Sequence, residues 1–338
     1  MQKISFMAKA GLLLIFMPLI FATICLANHQ TLGGPAFSDP NQITETPEGW
    51  STRPLTFDQD QLNYDLVITL DQHLYAALLP PIQAYAQAHN LNISVNDGTC
   101  GISYGKLVKK AVDISGFCCP PGSTDRLPGV EFHTLGIAAI AILVNIDNRL
   151  STLSVEQTRD LFMGEIHRWS ELEDEQSTSM LYPIIRPVIR PHCKLRPGHW
   201  RLLLGEESLF SQESINVGTI EDMISMISED PRAIGYEVLW NIERYNKGHK
   251  IKPLLINELS PTDQQAVIDN RYPFYRTYNL TTWTSPECKK PAAEALVLHL
   301  LKMVDLLDPQ HGIISPAKLR TAGWVFRRNE LVGEPPSQ

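Results

Sequence analysis

The run Phe132 to Val144, FHTLGIAAIAILV, is almost wholly apolar. A strand that is apolar at every position, and not only at alternate ones, has to be covered on both faces, as happens in the middle of a sheet flanked by helices. The chain before it has the matching rhythm. Tyr64 to Leu70 (YDLVITL) is strand-like, and Leu74 to His89 places Leu74, Leu78, Ile82 and Tyr85 at helical spacing, with Asp71 available as a cap. Leu91 to Val95 reads as a short strand, Asp97 to Gly101 as a turn, Ile102 to Ala111 as a helix and Asp113 to Phe117 as another strand. Strands alternating with helices imply an α/β fold built on a parallel sheet.

A second unit of the same kind follows. Ser154 to Phe162 predicts a helix capped by Ser154, with Gln157 completing a capping box. Ile184 to Ile189 predicts a strand, His199 to Leu204 the start of a helix, Thr219 to Ser228 a helix and Ala233 to Val238 a strand, with Pro231 as the breaker between the last two. Tyr272 to Trp283 is strand-like, and Pro291 to Leu307 is an amphipathic helix with proline in its first turn.

Composition excludes several classes. With 338 residues, 43% of them hydrophobic and 20% charged, the chain has neither a fibrous nor a disordered bias and supports one large or two medium domains. A net charge of −8, with no basic cluster longer than Lys109-Lys110, argues against a nucleic-acid partner, since duplex affinity rests on many Lys and Arg contacts to phosphates.

Met1 to Lys9 carries Lys3 and Lys9, and Gly11 to Ala27 is apolar apart from Thr23, ending Cys25-Leu26-Ala27. Residues 1–27 therefore read as a cleavable secretory signal, which places the mature protein in the periplasm. An uncleaved anchor is the alternative, opposed by Pro18 and by an apolar run shorter than the ~20 residues of a spanning helix. Cys25 suggests a lipoprotein, but Ala22-Thr23-Ile24 lacks the usual approach to a lipidated cysteine. Cys100, Cys118, Cys119, Cys193 and Cys288 remain, an odd number in a compartment that favours disulfides. Asn28 to Gln61 has no apolar period and reads as an extended N-terminal arm.

Several stretches, in order, resemble the type II periplasmic binding proteins, and among them the phosphate-binding subunits of phosphate ABC transporters. They are Asn96 to Cys118, Gly136 to Asn145, Leu153 to Leu172 (LSVEQTRDLFMGEIHRWSEL), Ala233 to Tyr236 (AIGY) and Tyr272-Pro273-Phe274. The resemblance implies a two-lobed fold with two hinge crossovers, with lobe 1 at 62–144 plus 256–338 and lobe 2 at 145–255. It implies a monomer that closes on a small ligand, phosphate or a related oxyanion, and serves a membrane permease; the same fold also serves as ligand sensor for a membrane histidine kinase. Ser315 to Gln338 has no counterpart in the resemblance.

An oxyanion site needs backbone N–H groups at helix starts, hydroxyl donors and a fixed cation. On the resemblance the candidates are Asp71, Gln72 and His73 at the first strand-to-helix turn, Gly98, Thr99, Cys100 and Gly101 at the second, Cys118 and Cys119 after the Asp113 strand, and Arg190 after the Ile184 strand. The chain departs from the family where Arg190 is followed by Pro191-His192-Cys193 and not by hydroxyl residues, and where Cys118-Cys119-Pro120-Pro121 stands in place of Ser or Arg.

Those departures leave a second ligand class open. Laid on the resemblance, His73, Cys100, Cys118, Cys119, His192 and Cys193 gather at the cleft mouth, and thiolate with imidazole suits a soft metal, a metalloid or a haem-like ligand. The other reading of the same thiols is a disulfide between Cys100 and Cys118 or Cys119. No resident cofactor is called for. Enzyme signatures are absent from the sequence: there is no Gly-x-Ser-x-Gly elbow, His-Glu-x-x-His or Walker loop, so recognition and not catalysis is the expected work.

Overall fold

The computed structural model describes residues 38–122, 124–172, 184–190, 203–204 and 207–336. Strand β1 (Leu66–Asp71) leads directly into α1 (Gln72–His89), followed by β2 (Ile93–Gly98), α2 (Cys100–Val108), β3 (Ile114–Phe117) and the long β4 (Val130–Asn145). Next come β5 (Thr152–Leu153), α3 (Val155–Met163), β6 (Arg186–Ile189), β7 (Ile215–Asn216), α4 (Ile220–Glu229), β8 (Ala233–Val238) and α5 (Leu239–Tyr245). The chain continues through β9 (Ile251–Pro253), β10 (Leu255–Ile256), α6 (Gln264–Ile268), β11 (Tyr275–Trp283), α7 (Pro291–Met303), α8 (Pro316–Thr321), β12 (Val325–Arg327) and β13 (Glu330–Gly333).

Among the described residues the main sheet runs β2-β1-β3-β11-β4-β8-β6-β7, with β9 added on β4. β1, β2 and β3 are parallel, as are β6, β7 and β8, while β11 and β4 run antiparallel to their neighbours. The apolar run therefore does sit mid-sheet, covered on both faces. Its first half pairs with β11, and Ile140 to Val144 pair with β8.

Two hydrophobic cores result. One draws on Leu66 to Leu78, Ile114 to Phe117, Phe132 to Ala138 and Tyr278 to Val304. The other draws on Ile137 to Val144, Leu150 to Phe162, Ile220 to Tyr236, Tyr272 to Tyr275 and Ile314 to Leu331. β4 and β11 are the two strands that belong to both. At the changeover a Cβ on Gly136 would collide with the carbonyl oxygen of Ile314, which is bridged to Ile137 by backbone hydrogen bonds of 2.8 and 3.1 Å.

Local signals held where they were local. Ser154 and Gln157 make the expected capping box, and Thr219 makes another with Asp222. The differences have identifiable causes. β2 extends to Gly98 because it keeps pairing with β1 as far as Asp71, and α2 begins at Cys100 because Thr99 caps it, its hydroxyl accepting from Ile102 N–H. Helix α7 ends at Met303, with one 3₁₀ turn at Val304–Leu306. Two segments without a sequence signal pack firmly. In the arm, Trp50 is buried in the first core, donates to the Val108 carbonyl and lies under Lys110. At the C-terminal end, Glu330 on β13 pairs with buried Arg126 and with Ser38 of the arm. The leader at 1–27 and all but Leu203 and Leu204 of the helix expected from His199 lie outside the described residues.

Candidate functional site

The carboxyl ends of β1, β3, β6 and β8 converge where the two cores meet, the position at which open α/β sheets hold ligands. Asp71 ends β1 and caps α1, its Oδ1 accepting from the His73 backbone N–H at 2.9 Å and from His73 Nδ1 at 2.6 Å. That double contact fixes the imidazole, and its Nε2 meets Glu237 Oε1 at 3.0 Å. Glu237 comes from β8, in the second core's half of the molecule, and Oε1 also accepts from Val238 N–H at 2.8 Å and Asn241 Nδ2 at 3.2 Å. Arg190, just past β6, donates from Nη1 to Glu237 Oε2 at 2.9 Å. Arg276, on β11, places Nη2 3.6 Å from Oε1. Asp71, His73, Arg190, Glu237 and Arg276 are each exposed by 2% or less.

Charges at that depth survive only in company. Burial and Arg276 oppose the His73 imidazolium, but Glu237, Asp71 and Cys118 raise its pKa to about 10. Burial pushes the Glu237 pKa up, and Arg190, His73 and Arg276 override it, holding the carboxyl well below its ordinary range. Asp71 is held low in the same way, against burial and chiefly by His73. At neutral pH the cluster is therefore two guanidiniums and an imidazolium around two carboxylates, and both ring nitrogens of His73 donate.

Several donors are left over. Arg190 Nε, Arg276 Nε and Nη2 and the Tyr278 hydroxyl are buried with no hydrogen-bond partner among the described residues. Tyr278 interacts electrostatically with Arg276, Cys118 and Glu237. A buried donor left unmade costs about 1–3 kcal/mol, so four of them in one cluster form a set that an acceptor-rich group would satisfy.

The thiols lie against Asp71. Cys100 opens α2 and Cys118 follows β3; their sulfurs are 3.3 Å apart, and Cys119 Sγ is 3.9 Å from Cys100 Sγ. Both separations exceed the roughly 2.05 Å of a disulfide bond, so the sulfurs touch without being joined. Cys100 Sγ is 3.4 Å from Asp71 Oδ2, and Arg276 Nη1 donates to Cys118 Sγ at 3.4 Å. The contact with Cys100 draws the Cys118 pKa down to about 6 against burial, with His73 and Arg276 helping.

Of the candidates read from sequence, Asp71, His73, Cys100, Cys118, Cys119 and Arg190 come together, all buried rather than at an open mouth. Gln72, Gly98 and Thr99 are half-buried and Gly101 is exposed, and the Thr99 hydroxyl is engaged in capping α2. His192 and Cys193 lie outside the described residues. Glu237, Arg276 and Tyr278 were missed. Glu237 and Arg276 carried a usable signal: each is a charge inside a predicted strand, and such a charge, once buried, must find a partner.

No protein-family model matches the chain. Among solved structures it is similar to an ABC-type phosphate transport receptor from Vibrio cholerae, with a TM-score of 0.59 and 16% identity over 75% of this chain and 100% of that one. It is also similar to a phosphate ABC transporter substrate-binding protein with bound phosphate from Clostridium perfringens, with a TM-score of 0.61 and 13% identity over 74% of this chain and 98% of that one. At such identities the likeness carries the fold alone: the chain has the two-lobed α/β architecture of these substrate-binding proteins.

Proposed function

We propose that the chain is an extracytoplasmic solute-binding protein that captures a small oxyanion of the phosphate class between its two cores and presents it to a membrane permease. The observation that carries this reading is the convergence of Arg190, Arg276 and His73 on the Glu237 carboxylate, with three guanidinium N–H groups and the Tyr278 hydroxyl left over. A carboxylate is itself an oxyanion fragment, so a slot that holds Glu237 has the charge and the forked donors to hold two oxygens of a tetrahedral oxyanion in its stead. Glu237 then acts as a tethered competitor. A ligand that contacts Arg190 from one half and His73 from the other favours the closed form over the open one, which is the differential affinity a hinge needs.

Titration calorimetry with phosphate, in protein refolded from denaturant into phosphate-free buffer, tests the reading. Arg190→Ala and Arg276→Ala each remove a charge-assisted contact and are expected to weaken phosphate by about 1.5–3 kcal/mol. Glu237→Gln removes the competitor's charge and is expected to tighten it. Phosphate, arsenate and sulfate all failing to bind at millimolar concentration, or a Glu237→Gln variant that binds more weakly, would sink the oxyanion reading.

A further inference from the structure

We propose that Asp71, Cys100 and Cys118 form a binding site for a thiophilic divalent cation of the zinc class, adjoining the anion slot but with donors of its own. The donors come from the end of β1, the first residue of α2 and the turn after β3, so the same strand-end geometry that builds the slot also gathers them. One ligand atom from each of Asp71, Cys100 and Cys118 lies within 4.8 Å of the others. Two edges of the trio are near those of a metal tetrahedron: 3.3 Å for Cys100 to Cys118 and 3.4 Å for Cys100 to Asp71 Oδ2. Zn–S bonds of about 2.3 Å and Zn–O bonds of about 2.0 Å give edges of roughly 3.8 Å between sulfurs and roughly 3.5 Å from sulfur to oxygen.

The surroundings orient these donors as a metal site's do. His73 occupies Asp71 Oδ1 through both its backbone N–H and Nδ1, which leaves Oδ2 turned towards Cys100. Arg276 Nη1 and the Cys118 backbone N–H donate to the sulfurs of Cys118 and Cys100, at 3.4 and 3.3 Å. Hydrogen bonds of that kind fix ligand orientation from outside the first shell. Two sulfurs with a single carboxylate oxygen select a soft or borderline ion over calcium or magnesium, which take oxygen ligands. Binding releases thiol protons to solvent and transfers no electrons. The site rests on these donors and not on the oxyanion reading, since neither Arg190 nor Glu237 is a ligand.

The test uses the full-length protein, reduced and stripped with chelator, titrated with Zn²⁺ against a chromophoric chelator and with Co²⁺ to read the sulfur-to-metal charge-transfer band. Expected are one ion per chain, a thiolate band with Co²⁺, and a loss of Zn²⁺ affinity of at least about tenfold in Cys100→Ser and in Cys118→Ser. Cys288→Ser should change nothing, because that sulfur lies against Lys110 instead. Thermal unfolding of each variant checks that it is folded, and the Co²⁺ band of the unmutated protein decides the matter if a variant is not. Phosphate titration of the same samples keeps the two proposals apart: Arg190→Ala should lose phosphate and keep zinc. No thiolate band, zinc affinity unchanged in both Ser variants, zinc lost in Arg190→Ala, or arsenite retained where Zn²⁺ is not, would each overturn the cation site.

Discussion

His73 is the residue through which the two halves of the molecule share a charge, and its titration has a definite sign. Its folded pKa, about 10, lies above the ordinary 6.5, so its contribution to stability is complete below about pH 6.5 and is lost as pH rises through about 10. Cys118 runs the other way: its folded pKa, about 6, lies below the ordinary 9.0, so its contribution is present above 9.0 and lost as pH falls through about 6. Between those limits the two oppose each other. Metal-free Cys118→Ser should therefore show a melting temperature that declines steadily from pH 6.5 to 10, and adding His73→Gln should flatten it; a flat profile in Cys118→Ser alone would mean the imidazole is not charged. At this scale Asp71, His73 and Arg190 were found through the family resemblance, which marks the ends of strands as ligand-facing. Arg276 and Glu237 signal burial as charges within predicted strands, but their partners arrive from distant segments and are not legible in the sequence.

Among the elements, β4 carries the most demanding position. Gly136 passes so close to the Ile314 carbonyl that a methyl group there must break the backbone bridge between Ile314 and Ile137. Gly136→Ala should cost about 1–3 kcal/mol, as overpacking does. Gly101→Ala, exposed in the first turn of α2, where an added Cβ meets only the Thr99 hydroxyl at an ordinary 3.6 Å, should instead gain up to about 1 kcal/mol of helix propensity. Urea unfolding of both variants checks the pair, and a neutral Gly136→Ala would remove the close approach from the fold. Helices and their caps were legible because Ser154 and Thr219 act on residues three positions away. The sheet order was not, since β11 inserts between β3 and β4 from far along the chain. Nor was the packing of Trp50, whose pocket is made by Val108, Lys110 and Trp283.

At the scale of the whole molecule, two cores share two strands and one ionic cluster. The strands are continuous backbone, so the cluster is the part that can open. Glu237→Gln weakens the His73 and Arg190 contacts at once and should enlarge the radius of gyration measured by X-ray scattering, with phosphate restoring the compact value. An unchanged radius in the variant would show that other contacts hold the halves together. The tether on Glu237 also bears on unloading. On the proposed oxyanion reading, an arriving anion would evict a carboxylate that cannot diffuse away, and a departing one would be replaced at once at a high local concentration. The guanidiniums would thus never be stranded in a low dielectric without a counter-ion. A built-in eluent of this kind would give up some affinity for speed of discharge, as the proposed role of handing a cargo on, and not storing it, requires.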